Sequence, residues 1–207
     1  MARYVGKNCR ICRRAGDKLY LKSGRCNTPK CAVEKRPTPP GQQPTRRRKI
    51  SDRGIQLREK QKARFIYGFM EKQFRSIFNR AESQDGPTGR NLLVNLERRL
   101  DNVVFRLGFG NSRDQARQLV RHGFLMVNGR KSDVPSHQLN VGDTIAWSPR
   151  ALKSKFFKNL QEMESKPVPV WLSSNVETNE AKIVSYPKIE DIAPLFNEKS
   201  IVEFYSK

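Results

Sequence analysis

Four cysteines, Cys9, Cys12, Cys26 and Cys31, fall within 23 positions near the start of the chain and are all the cysteines it has. The pattern is Cys-x2-Cys, then thirteen residues, then Cys-x4-Cys. Two such pairs can wrap four thiolates tetrahedrally around a zinc ion. Arg10, Arg13, Arg14 and Lys30 stand beside them; neighbouring cations favour thiolate over thiol and offset the charge of a four-thiolate centre. One structural zinc is therefore the expected cofactor, since four sulfur ligands leave no open position for water. The second pair is wider, and the gap shorter, than the commonest zinc-ribbon spacing. An iron–sulfur cluster, disulfides or free thiols stand as alternatives.

A second group of reactive character lies on one helix. Ser112-Arg113-Asp114-Gln115 reads as a capping box, with Ser at the N-cap and Gln three residues on, and the helix it opens runs to about His122 before Gly123. On a wheel turning about 100° per residue, Arg113, Arg117 and Arg121 share an arc of about 80°. Ala116, Leu119 and Val120 occupy the arc beside it. Successive arginines sit about 6 Å apart along such a helix, close to the phosphate repeat of an RNA strand. One side of this helix is expected to pack on a core while the adjacent side presents guanidiniums, with His122 and Lys131 extending the surface. The plainer alternative is three unrelated surface arginines, because arginine favours helices anyway.

Charge says what such a surface would meet. The 207 residues include 41 Lys+Arg and 20 Asp+Glu, a net of +21, with an isoelectric point near 10.3. Residues 1–50 carry +13 (15 minus 2), 51–100 carry +5 (11 minus 6), 101–150 carry +3 (7 minus 4), and 151–207 carry zero (8 minus 8). A lone domain with that excess repels itself, so a polyanion is the natural partner. The gradient points to an N-terminal half immersed in polyanion and a C-terminal segment used mostly for packing; a solvated basic face is the bland alternative. No apolar run is long enough to span a bilayer. Arginine outnumbers lysine, and its planar fork grips phosphate with two donors. Only 36% of residues are apolar, so part of the chain is not expected to order itself alone. The first residues lack the apolar region of a secretory signal and the serine content of a transit peptide. A cytosolic location with reduced thiols is expected.

The elements that must position these groups follow from pattern. Pro37, Pro39, Pro40 and Pro44 mark a linker or extended arm ending in Arg46-Arg47-Arg48-Lys49. Ser51 is expected to cap a helix lined by Ile55, Leu57, Ala63, Phe65 and Ile66; Met70, Phe74, Ile77, Phe78 and Ala81 line the next. After the break at Gly86-Pro87-Thr88-Gly89, Leu93, Leu96, Leu100, Val103, Val104 and Leu107 predict one continuous helix ending at Gly108. Phe124–Val127, the Asn128-Gly129 turn and Arg130-Lys131 predict a hairpin, and Thr144–Trp147 a further strand. Ser148-Pro149 opens a helix carrying Leu152, Phe156, Phe157, Leu160 and Met163. Residues 182–185 and 201–205 read as strands. There is no internal repeat.

Several of these segments carry a resemblance. Arg99-Leu100-Asp101-Asn102-Val103-Val104-Phe105-Arg106-Leu107-Gly108-Phe109, the stretch Ser112–Gly123 and Val127-Asn128-Gly129 resemble the S-four RNA-binding domain. Arg3-Tyr4-Val5-Gly6, the cysteine knuckle, Arg58-Glu59-Lys60-Gln61-Lys62, Tyr67-Gly68, Trp171-Leu172 and Val202–Ser206 are similar to the rest of the S-four family of bacterial small-subunit ribosomal proteins. The likeness weakens at Gln42-Gln43-Pro44 and in 175–198. It implies an α+β chain: a helical N-terminal domain with a zinc knuckle and basic arm, plus an S-four domain of two helices and a small antiparallel sheet. The domains expected are 1–50, then 51–96 with 151–207, and 97–150.

The same resemblance implies binding to a multi-helix junction in the 5′ domain of small-subunit ribosomal RNA, early in assembly. It further implies ribosomal protein S-five and other subunit proteins as neighbours, an influence on decoding accuracy, and in some bacteria repression of the protein's own messenger RNA. The candidate RNA-binding residues are Arg3, Tyr4, Lys7, Arg10, Arg13, Arg14, Arg46, Arg47, Arg48, Lys49, Arg58, Lys60, Lys62, Arg64 and Tyr67. From the S-four domain, Ser112, Arg113, Gln115, Arg117, Arg121, His122 and Lys131 join them. No small-molecule substrate or membrane is expected. The competing class is an RNA-modifying enzyme, because Arg99-Leu100-Asp101 echoes the catalytic triplet of pseudouridine synthases that carry S-four-like domains. Only 60 residues follow Trp147, too few for their catalytic domain, and Asp101 reads more simply as a solvated helix residue free to pair with Arg98. A free RNA chaperone or translational repressor is the third option.

Overall fold

The computed structural model describes residues 4–22, 24–42, 49–161, 167–175 and 178–206. Arg3, Arg46, Arg47, Arg48 and Met163 lie outside the described residues. The helices are α1 (Asn8–Ala15), α2 (Ala32–Lys35), α3 (Asp52–Ile66), α4 (Glu71–Glu82), α5 (Thr88–Glu97), α6 (Leu100–Arg106) and α7 (Arg113–Arg121), followed by the strands β1 (Leu125–Val127), β2 (Arg130–Lys131) and β3 (Thr144–Trp147). Then come α8 (Pro149–Leu152), α9 (Lys155–Gln161), β4 (Leu172–Asn175), β5 (Glu180–Ile183), α10 (Ile189–Ile192) and α11 (Glu198–Tyr205). No described helix is long and apolar enough to cross a membrane.

The chain divides into two compact units, Met1–Leu93 with Pro194–Lys207, and Val94–Ala193. This corrects the expected grouping of 151–207 with the helical domain. Most of that stretch belongs to the second unit, because β5 pairs antiparallel with β3 and β4 pairs with β5, extending one sheet in the order β2-β1-β3-β5-β4.

In the first unit, Ser51 caps α3 by accepting a hydrogen bond from the Gly54 N–H at 3.2 Å. The buried face of α3 is only in part the apolar one expected. Ala63 and Ile66 turn inward as expected, but Ile55 and Leu57 are exposed, and Gln56 and Lys60 are buried instead. The reason lies at the other end of the chain. The segment 201–205 is a helix rather than the predicted strand: Asn197 accepts from the N–H groups of Lys199 and Ser200, a cap that starts α11. α11 packs on α3, where Gln56 donates to Glu203 at 2.9 Å and Arg53 donates to the Phe204 carbonyl at 3.0 Å. A short apolar run has no length with which to distinguish helix from strand.

In the second unit, the expected single helix through Leu93–Leu107 breaks into α5 and α6. Arg99 forms an antiparallel bridge with Gln138, Leu100 donates to the His137 carbonyl at 2.9 Å, and Leu139 donates to the Arg98 carbonyl at 3.0 Å. A strand-like pair of residues thus interrupts the helical pattern. Asn128 and Gly129 both have positive φ, 50° and 75°, the signature of a type I′ turn, and Val127 pairs with Arg130 as that turn demands. Ser148 caps α8 as expected, but the helix stops at Leu152, and Ser154 accepts from the Phe157 N–H at 3.2 Å to start α9. The core joins Leu100, Val103 and Val104 of α6 to Ala116, Leu119 and Val120 of α7 and to Leu125, Ile145, Trp147, Trp171 and Ile183 around the sheet. The loop joining α6 to α7 packs so closely on α7 that a Cβ on Gly110 would lie 2.9 Å from the Ala116 nitrogen.

Candidate RNA-binding surface

The cap of α7 is more local than a reciprocal box. Ser112 Oγ accepts from the Gln115 N–H at 3.3 Å, but the Gln115 side-chain oxygen Oε1 accepts from the Asn111 N–H at 2.7 Å, one residue earlier than expected. Ser112 and Gln115 therefore hold the helix start. The three arginines have three different fates. Arg121 is exposed, and its side chain makes no hydrogen bond or ion pair with the described residues. Arg113 is half-buried, donates Nε to Asn102 at 2.9 Å and lays its guanidinium 4.4 Å from the centre of the Phe105 ring. Arg117 is buried, 7% exposed, and donates to Asp101 at 2.7 Å. The expectation that Arg117 faces phosphate is corrected: the stripe of arginines lies partly under the surface.

Asp101 is the reason. It is buried rather than solvated, and its partner is not Arg98, which bonds the Leu139 carbonyl and Asn140 instead. Arg99, 2% exposed, clasps Asp101 with Nε to one oxygen at 3.1 Å and a terminal nitrogen to the other at 2.9 Å. Asp101 thus sits between two buried guanidiniums. A second buried carboxylate, Glu97, receives two bonds from Arg106 at 2.8 Å each and one from Asn102 at 2.7 Å. Asn102 then accepts from Arg113, which ties α5, α6 and α7 into one polar network. Sequence pattern missed this network because each acid and its partner fall at spacings that no helical rule marks. Charged residues inside an apolar stretch were the available signal.

What remains outside is a small cationic edge. Lys131 lies along Gly123, whose added Cβ would meet the lysine Cε at 2.1 Å, and Gly123 has φ 67°. The left-handed backbone there favours glycine, and the Lys131 side chain crosses it just past the end of α7. Arg121 and His122 are exposed, and the His122 ring meets Phe124 edge to face. Replacing Arg121 and Lys131 by Gln is expected to weaken RNA binding about tenfold, one charge-assisted bond's worth after solvent screening, with the thermal melt unchanged. Arg117→Gln is expected to move the melt first. Equal melts for both variants would contradict this division.

The first unit holds a different surface. Tyr4, Arg10, Arg14, Arg58, Lys62 and Arg64 all line one cleft of about 630 Å³, formed by α1, α3 and the Pro40 loop. Arg13 is turned away, donating to the carbonyls of Arg36 and Thr38 at 3.0 and 2.9 Å, so it pins the loop that follows α2. Lys62 bonds Asp17 at 2.5 Å and Glu59 at 2.8 Å. Burial opposes its charge, but these two carboxylates outweigh burial and raise its proton affinity. Lys7 and Lys49 are exposed. Two candidates are corrected. Lys60, 4% exposed, donates to Glu71 at 2.6 Å beneath the Phe204 ring, and Tyr67, 7% exposed, packs against Phe69 and Phe196. Both belong to the interior. Burial would push the Glu71 carboxyl up, yet Lys60 and the Tyr205 hydroxyl hold it below its usual value; burial and that same carboxylate push Tyr205 up.

Residues 3–97 match the family described as "Ribosomal protein S4/S9 N-terminal domain", and residues 98–145 match "S4 domain". The chain is 53% identical over 207 residues to the small ribosomal subunit protein uS4 of Clostridium tetani, all of both chains being covered. It is 52% and 50% identical over 208 residues to those of Halothermothrix orenii and Dehalococcoides mccartyi, again over the whole of each. The chain belongs to the S-four ribosomal protein family.

Within this S-four family chain, Asp101 of the Arg99-Leu100-Asp101 triplet is buried and held by the guanidiniums of Arg99 and Arg117. The cysteines sit at helix edges. Cys9 and Cys12 lie on α1, which Gly16 ends at φ 84°; Cys26 lies in a 3-10 turn over Gly24–Asn27, and Cys31 is the N-cap of α2. Burial raises the Cys12 thiol, a hydrogen bond with the Leu19 backbone opposes this, and the other three cysteines raise it further. The other three cysteines thus lie within electrostatic reach of Cys12, and a four-thiol donor set is of the kind that suits zinc. As placed, no three His, Cys, Asp or Glu side chains among the described residues converge into a ligand set.

Proposed function

We propose that this chain is a structural constituent of the small ribosomal subunit, not an enzyme, and that it binds small-subunit ribosomal RNA directly at a junction of the 5′ domain. The observation that carries this reading is the sorting of charge. In the second unit the carboxylates of Glu97 and Asp101 are consumed inside by arginines, while Arg121 and Lys131 stand outside without acidic partners. Exposed Arg10, Arg14 and Arg58 repeat the arrangement in the first unit. These two acids serve folding, while the surplus cations face outward, where phosphate can reach them.

On this reading the protein acts in the cytoplasm, on the ribosome, where early binding nucleates assembly. Ribosomal protein S-five and other subunit proteins are its neighbours, decoding accuracy is sensitive to it, and its own messenger is a second RNA target. Zinc held by Cys9, Cys12, Cys26 and Cys31 would brace the region from α1 to α2. The test is filter binding of the purified chain to small-subunit RNA at graded salt. Neutralising about 8 phosphates gives a slope of log K against log[salt] of roughly −6 to −7. A slope shallower than about −2 contradicts the reading. Co-sedimentation with small subunits separates a ribosomal constituent from a free repressor.

A further inference from the structure

The cleft beside α1 has a composition that phosphate binding alone does not require. Its walls are apolar: Ile11, Leu19, Leu57 and Phe65 line it, and Leu57 stays 40% exposed there although it stands on a helix with room for polar residues. Its mouth is cationic. The side chains of Arg10, Arg14 and Arg58 are exposed and make no ion pair or hydrogen bond with the described residues, whereas Lys62, deeper in, is engaged by Asp17 and Glu59. Arg10 and Arg14 are one helical turn apart on α1, about 6 Å along its axis, a spacing comparable to successive phosphates of a nucleotide strand. Tyr4 completes the mouth. Its side chain folds back over Gly6, where a Cβ would lie 2.3 Å from the hydroxyl, and its ring meets Phe65 edge to face at 5.7 Å, leaving it 45% exposed.

We propose that this cleft takes one unpaired nucleobase of the bound RNA, stacked at the aromatic mouth between Tyr4 and the apolar wall, with its flanking phosphates on Arg10, Arg14 and Arg58. The assignment rests on the RNA-binding reading above and deepens it. An apolar cavity of about 630 Å³ admits a planar heterocycle, and a rim of cations without acidic partners selects a ligand that is apolar in its middle and anionic at its edges. A nucleotide meets both conditions at once. A base has a π-face whatever its identity, so such a site recognises single-strandedness rather than sequence.

The test is a coupling measurement with the full-length chain and a small-subunit RNA fragment that it binds. Each unpaired nucleotide in turn is replaced by an abasic one, and affinity is measured for the wild-type protein and for Leu57→Ser. The expected result is one position at which base removal weakens the wild type about tenfold, the effect of losing one stacked base, but weakens Leu57→Ser by less than about twofold. Tyr4→Ser, at an exposed residue outside the core, should show the same coupling if Leu57→Ser lowers the melt. Arg58→Gln should weaken binding to every RNA alike. If the wild type binds with a steep salt dependence but no position couples to Tyr4 or Leu57, the cleft assignment is overturned while RNA binding stands; a cleft used by a protein partner gives this same result. If the wild type binds no RNA, both fall.

Discussion

Replacing Asp101 by Ala is expected to destabilise the second unit by about 3–5 kcal/mol, because it leaves two buried guanidiniums without their shared carboxylate. Arg99 is 2% exposed and Arg117 7%, so water reaches neither well enough to replace the lost partner. For a unit of this size that corresponds to a fall in melting temperature of more than about 10 °C. Asp101→Asn keeps the volume and one acceptor oxygen but removes the charge, and should recover only part of the loss. Arg121→Ala, an exposed change on the neighbouring helix, should stay within about 0.5 kcal/mol. The measurement is urea unfolding followed by the fluorescence of Trp147 and Trp171, which are both buried in this unit. A shift of Asp101→Ala no larger than that of Arg121→Ala would mean that the ion pairs are not what joins α6 to α7. Glu97→Ala should behave like Asp101→Ala, since Arg106 loses both of its carboxylate bonds.

That network marks the boundary of what was legible in the sequence. Apolar periodicity located α4 and α7, and local chemistry located the ends: Ser51, Ser112 and Ser148 cap where expected, and Asn128-Gly129 makes the hairpin. These signals are short in range and each states its own geometry. The failures are all non-local. Residues 98–99 belong to a helical pattern until Gln138 bridges Arg99 from far along the chain, and 201–205 read as a strand until Asn197 caps them. Gln56 and Lys60 look like surface residues on α3 because Glu203 and Glu71, the partners that make their burial tolerable, come from elsewhere in the sequence. The candidate site divides in the same way. Arg10, Arg14, Arg58, Arg121 and Lys131 are exposed as charge alone suggests, whereas Lys60, Tyr67 and Arg117 are not. A basic residue near an apolar stripe either faces solvent or pairs with a buried acid. Helical spacing does not distinguish the two.

The largest effect expected outside the second unit comes from the cysteines. Metal-analysed protein, purified without chelator, should carry close to one zinc per chain, and the double variant Cys9→Ser, Cys12→Ser should carry none. Four thiolates close a structural site, and such sites contribute on the order of 10 kcal/mol or more to folding their own segment. Apart from the buried Leu19 and the Asp17–Lys62 pair, the segment has little else to hold it. α1 is 8 residues long, α2 is 4, and the 3-10 turn between them buries no residue, so neither helix has the length to persist by itself. Arg13 fastens the following loop by its carbonyls, and Lys18 pairs with Glu34, but both contacts are solvent-exposed and exposed pairs contribute roughly 0–1 kcal/mol. Loss of zinc should therefore loosen residues 8–40 while α3, α4 and α11, joined by their own contacts, keep their structure. Limited proteolysis should show new cuts confined to the region between α1 and the Pro37–Pro40 loop, and RNA affinity should fall with them because Arg10 and Arg14 lose their fixed spacing. Full zinc retention in the double variant, or iron and inorganic sulfide in place of zinc, would refute the assignment.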